Sequence, residues 1–138
     1  HVRVKKHCEN GLAVAKFLKA HDKVNSVNYP GLEGDKYYEL AKREMPDGTC
    51  GVVSFRIKGG RKAAEEFMKH MKLGAIETHV ADARTCCLHP ASATHRQMND
   101  AELEACGVYP DLIRYSCGLE DAEDLIADIS QALDAVNV

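Results

Sequence analysis

The sequence predicts an α/β sandwich in which a small, mostly antiparallel sheet of four to five strands is covered by helices. Helical stripes such as Ala122, Leu125, Ile126, Ile129, Leu133 and Val136, at three- and four-residue steps, alternate along the chain with short β-branched and aromatic runs such as Val52, Val53, Phe55 and Ile57. Those runs mostly carry one apolar face, the pattern of strands packed on one side only. At 138 residues the chain holds one ordinary domain and is too short for two.

The elements follow in order. Val4, Cys8, Leu12, Ala15 and Leu18 mark the apolar face of a first helix reaching Ala20. No capping residue precedes it, so the chain is expected to begin inside a longer helix. Val24 to Tyr29 reads as a strand closed by Pro30-Gly31. Asp35 then caps a second helix with Tyr37, Tyr38, Leu40 and Ala41 on its apolar side, ended by Pro46 and Asp47-Gly48. Cys50 to Ile57 is the plainest strand, bounded by Gly59-Gly60.

Arg61 to Leu73 returns to helical spacing, with Ala64, Phe67, Met68 and Met71 on one face. Two strands are expected near Ala75–His79 and Arg84–Leu88. Asn99 with Glu102 forms a capping-box pair opening a short helix that Gly107 stops. A strand through Leu112 to Ser116 precedes the final helix. The acids Glu120, Asp121, Glu123 and Asp124 suit the positive end of that helix dipole better than they suit catalysis.

Composition narrows the function. A hydrophobic share of 45% and a charged share of 28% are ordinary for a soluble globular domain, and no apolar run is long enough for a membrane span. A net charge of -3 without a basic stripe argues against nucleic acid as the main partner. Six scattered cysteines and no signal segment point to free thiols in the cytoplasm.

Three candidate chemistries fail on spacing. Cys86, Cys87, His89 and His95 offer zinc-type donors, but abutting cysteines do not make the two short pairs of a structural zinc site, and no metal is expected. A cysteine nucleophile served by one of those histidines lacks any further support. Gly59-Gly60-Arg61-Lys62 is missing the glycine and hydroxyl of a phosphate loop and reads as a turn.

Arg114 is what remains. Strand alternation puts it with Leu112 and Ser116 on one face, and Ile113, Tyr115 and Cys117 on the other. Its planar donor fork matches a carboxylate at two points.

The segments His89-Pro90-Ala91-Ser92-Ala93-Thr94-His95 and Leu112-Ile113-Arg114-Tyr115-Ser116-Cys117-Gly118-Leu119-Glu120-Asp121, continuing through Ala122 to Ile126, resemble the closing part of the Cys/Met-metabolism family of pyridoxal-phosphate enzymes. That family includes cystathionine synthases and lyases, methionine lyases and O-acetylhomoserine sulfhydrylases, all of the aspartate-aminotransferase type of fold. Asn28 to Glu33, Tyr37 to Lys42 and Gly51 to Phe55 look most like the sulfhydrylase branch. The resemblance runs from Arg3 to Val136.

The resemblance implies that residues 1–138 form a C-terminal domain, that residues 1–20 are the later part of an interdomain helix, and that a large cofactor-binding domain is absent. The lysine and phosphate contacts for pyridoxal phosphate then belong to that large domain, so no residue here is catalytic or cofactor-binding, and this chain alone is expected to bind no cofactor and to be inactive. It further implies that Arg114 grips the substrate α-carboxylate. His79 stands thirty-five positions earlier, where the family usually has serine or asparagine, and it is followed by Val80-Ala81 where a glycine is usual. Thr94 matches a position lining the same pocket. The partners implied are a small amino-acid substrate and the chain's own large domain, within a homotetramer. The activity implied is γ-replacement on O-acetylhomoserine by sulfide or methanethiol. The alternatives are cystathionine γ-synthase, methionine γ-lyase and, from another class, a free-standing amino-acid-binding module.

Overall fold

The computed structural model describes residues 1–137. Its elements are α1 (Val2–Ala20), β1 (Val24–Asn28), α2 (Tyr38–Glu44), β2 (Val52–Ile57), α3 (Gly60–His70), β3 (Ala75–Ile76), β4 (Cys86–Leu88), α4 (Asp100–Ala105), β5 (Leu112–Ser116) and α5 (Ala122–Asp134). A short 3₁₀ turn covers Pro90–Ser92. The strands form one sheet in the order β1-β2-β5-β4-β3. All pairings are antiparallel except β3 with β4, so the expected mostly antiparallel sheet is present.

Alternation on the two central strands divides the molecule. Val53, Phe55 and Ile57 of β2 and Ile113 and Tyr115 of β5 face the core, where they meet Val14 and Leu18 of α1, Ala64 and Phe67 of α3, and Leu125, Ile129 and Leu133 of α5. Phe55 and Phe67 meet edge to face, with ring centroids 5.7 Å apart. The three long helices thus cover one face of the sheet, and the 3₁₀ turn packs against β5.

Two expectations need correction. The apolar stripe Val4, Cys8, Leu12 does not define the buried side of α1. Val4 is 52% exposed, whereas His7, Asn10 and Gly11 are buried. The physical reason is polar docking against the ends of β2 and β5. His7 Nδ1 donates to the Cys117 carbonyl, and Asn10 Nδ2 donates to the carbonyls of Gly118 (3.0 Å) and Glu120 (2.8 Å). Gly11 lets α1 come close, since a Cβ there would sit 2.8 Å from the Cys50 carbonyl oxygen.

The strand expected over Ala75–His79 stops at Ile76. Glu77 N–H still donates to the Cys87 carbonyl, after which the carbonyls of Thr78 and His79 turn to a side chain rather than to a strand. The capping box of Asn99 and Glu102 forms with both bonds present, and Gly107 takes the left-handed conformation that ends α4.

Polar side chains seeking the main chain hold the layers together. Tyr29, 1% exposed, shares its single hydroxyl proton between the carbonyls of Cys50 (2.8 Å) and Cys8 (3.2 Å), tying the end of β1 to α1 and to the approach to β2. Burial pushes its phenol up to about 12. Asp128, inside the helix stripe, accepts three backbone N–H groups, from Lys72 and Leu73 at 2.9 Å and Gly74 at 3.0 Å. That carboxylate staples the α3–β3 connection to α5. His89 is buried between two partners: Nε2 donates to the Pro110 carbonyl at 2.8 Å, so Nδ1 is the acceptor for the Ser92 hydroxyl, also at 2.8 Å. Burial holds its imidazole below the ordinary value.

Two outcomes test these anchors. Asp128→Asn keeps the shape but turns an amide donor toward a backbone donor, and should lower the unfolding free energy by about 2 kcal/mol. An unchanged urea midpoint would show the staple to be idle. For His89, the unfolded chain takes up a proton as pH falls through about 6.5 while the folded chain resists it. The stability advantage of wild type over His89→Gln should therefore be full at pH 7.5 and shrink toward pH 5, and a pH-independent difference would contradict the buried neutral imidazole.

Candidate functional site

The outward face of β5 carries Arg114, half-buried, opposite Ser54 of β2 on one side and Leu88 of β4 on the other. Hydrogen bonding to two neighbouring strands fixes its Cα, and the inward neighbours Ile113 and Tyr115 are fully buried. The guanidinium reaches the segment after β3. Nη2 donates to the carbonyls of Thr78 at 2.6 Å and His79 at 3.3 Å. Nε is buried and has no hydrogen-bond partner among the described residues. The group is charged and only partly engaged, which leaves it able to receive an anion.

Among the described residues no hydrogen bond joins the side chains of the three residues singled out in the sequence. His79 meets Arg114 through its main-chain carbonyl. Its imidazole is 66% exposed and lies 3.8 Å from the Asp82 carboxylate. Thr94 is exposed, and its hydroxyl lies 2.9 Å from Nδ1 of the adjacent His95. The structure thus joins Arg114 to the His79 backbone, and the hydrogen bond of Thr94 is local.

Residues that the sequence reading passed over shape this corner. Ser116, on the same face as Arg114, accepts the Ala81 N–H at 2.9 Å. Arg3 of α1 donates to the Ala81 carbonyl. Ala81 has φ 56°, the left-handed region, within the Val80-Ala81 pair where the family resemblance implies a glycine. Glu120 is not a first-turn acid of α5, which begins at Ala122. Its carboxylate instead accepts the Thr85 N–H at 2.8 Å and the Thr85 hydroxyl at 2.7 Å, and that hydroxyl accepts the Gly118 N–H at 2.7 Å. A Cβ on Gly118 would meet the Thr85 nitrogen at 2.5 Å, so only glycine fits this cradle. Strand alternation already paired Ser116 with Arg114; the Thr85 and Glu120 contacts span thirty-five positions and left no local pattern.

The other candidate chemistries have structural uses instead. Both nitrogens of His89 are occupied. Burial pushes the Cys117 thiol up to about 12 and raises Cys87 further, so neither thiol is a ready nucleophile. Gly59 and Gly60 take left-handed conformations at the start of α3, and Arg61 is spent on the Ala91 carbonyl and the Asp100 carboxylate. Among the described residues no three His, Cys, Asp or Glu side chains gather as a metal site, and no helix is long and apolar enough to cross a membrane.

Comparison with known proteins places this geometry. The model of the Cys/Met metabolism PLP-dependent enzyme family matches residues 1–134. An L-methionine gamma-lyase of Treponema denticola is 43% identical over 134 residues, 96% of this chain and 33% of its own length. An O-acetyl-L-homoserine sulfhydrylase of Leptospira meyeri is 41% identical, covering 96% of this chain and 30% of the relative. A crystal structure from Campylobacter jejuni, assigned as an O-acetylhomoserine (thiol)-lyase with N'-pyridoxyl-lysine-5'-monophosphate, superposes with a TM-score of 0.89 at 36% identity. It covers 96% of this chain and 32% of its own. The chain thus spans about a third of the length of the relatives it matches. With a family model matching nearly every residue and an aspartate-aminotransferase-type neighbour reproducing the fold, the chain belongs to the Cys/Met metabolism family of PLP-dependent enzymes.

Proposed function

We propose that this chain is the substrate-orienting C-terminal domain of a longer pyridoxal-phosphate enzyme acting on γ-substituted amino acids, with O-acetylhomoserine as substrate and sulfide or methanethiol as the incoming group. The observation that carries the reading is Arg114: a guanidinium set on the sheet's central strand, with a donor edge left over after its loop contacts. On this reading it holds the α-carboxylate, so that the amino group and side chain of the substrate face the cofactor in one orientation.

The chain's own residues do not fit the cofactor. Among the described residues no lysine is buried, and the best-held ammonium, that of Lys23, is spent on the carbonyls of Leu133, Asp134 and Val136. The proposal therefore assigns pyridoxal phosphate to the remaining two thirds of the protein. A second reading, γ-elimination from methionine or cystathionine, is favoured by the lyases from Treponema denticola and Sus scrofa, each 43% identical to this chain. Product analysis separates the two: homocysteine formed from O-acetylhomoserine and sulfide supports replacement, and methanethiol released from methionine alone supports elimination.

The test is substitution in the whole enzyme. Removing charge-assisted bonds to a carboxylate costs about 1.5–3 kcal/mol, so Arg114→Ala should raise KM for the amino acid roughly tenfold to hundredfold, and turnover should fall as alignment is lost. Arg114→Lys keeps the charge without the fork and should fall between. Unchanged kinetics in Arg114→Ala would refute the assignment. The 138-residue chain alone should turn over none of these substrates, and tight binding of free methionine to it would instead favour a binding module.

A further inference from the structure

We infer that Ser116 is a positioning residue for the Arg114 fork, acting through the main chain of residues 78–82. The inference rests on the reading of Arg114 as the carboxylate grip. Ser116 is 2% exposed and lies two residues beyond Arg114 on the same face of β5. Its hydroxyl oxygen accepts the Ala81 N–H at 2.9 Å, while Arg3 holds the Ala81 carbonyl.

Those two contacts secure a backbone that resists its own conformation. A residue with a Cβ at φ 56° is strained, so the turn persists only where its surroundings determine it. Two and three residues earlier the same segment presents the carbonyls of His79 and Thr78 to Arg114 Nη2. The guanidinium is planar, so engaging one amino group from a fixed direction sets the plane of the whole fork. Nε is sealed, with no partner and no access. An arriving carboxylate is left Nη1, which has no hydrogen-bond partner among the described residues, since Nη2 is turned to two carbonyls. Ser116 thus orients a group that it does not touch, by fixing the loop that does.

The readout that a merely packing role would not move is the Arg114 side chain itself. In the 138-residue chain, the Nε–H of Arg114 should exchange slowly with solvent by ¹⁵N NMR. Ser116→Ala should accelerate that exchange about tenfold or more while the chain stays folded. Ile129→Val, a core change that lowers stability, should leave it slow. Ala81→Gly keeps the N–H donor and suits the left-handed turn, so it should also stay slow. In the whole enzyme, Ser116→Ala should raise KM for the amino acid about tenfold with kcat changed less than about threefold, and Ile129→Val should leave KM near wild type.

Slow exchange and an unchanged KM in Ser116→Ala would overturn the inference even where Arg114→Ala raises KM. Equal acceleration by Ile129→Val would overturn it too, by showing generic loosening. If Arg114→Ala itself had no effect on KM, the carboxylate reading would be the part that failed.

Discussion

The double pairing of β5, between β2 on one side and β4 on the other, is the constraint on which the rest of this structure depends. A strand hydrogen-bonded along both edges has no freedom to twist or slip, and a slip by one residue would exchange its faces. Ile113 and Tyr115 are therefore committed to the helical layer and Arg114 and Ser116 to the open face. Burial of the first pair supplies the hydrophobic energy that keeps the second pair in place. A guanidinium on a loop would lose entropy and alignment on meeting a ligand; one on this strand has already lost them during folding.

Around that strand, charged and polar side chains set the layers by reaching for main-chain groups. Asp128 gathers three N–H groups of the α3–β3 turn, Asn10 and His7 bind carbonyls just past β5, and Glu120 with Thr85 closes the Gly118 turn. A buried polar group left without its partner costs more than the bond itself contributes, so each such contact selects one arrangement of backbone and penalises its neighbours. The segment from Thr78 to Asp82 is held in this way, by Ser116, Arg3 and Arg114 together. It is ordered without being part of a strand.

How much of this was legible in the sequence follows from where the information is local. The periodicity of α3 and α5, the alternation of β2 and β5 and the capping box of α4 are short-range signals, and the structure repeats them. The buried side of α1 was not legible because its anchors, His7 and Asn10, are polar and their partners lie more than a hundred residues away. The early end of β3 and the role of Glu120 were hidden because their partners, Arg114 and Thr85, lie about thirty-five residues away. At the candidate site, the outward placement of Arg114 on β5 was legible from strand alternation. That His79 would contribute its carbonyl rather than its imidazole was not, because a left-handed Ala81 redirects the chain and no side-chain pattern announces it.

The central claim is that this chain presents Arg114 to the α-carboxylate of an amino acid. It is tested most directly by a crystal structure of the whole enzyme with a bound amino acid that lacks a γ-leaving group. The account predicts a carboxylate oxygen within about 3 Å of Nη1 of Arg114, with the Thr78 carbonyl still on Nη2. A carboxylate held by other groups, with Arg114 bound only to its own loop, would contradict it.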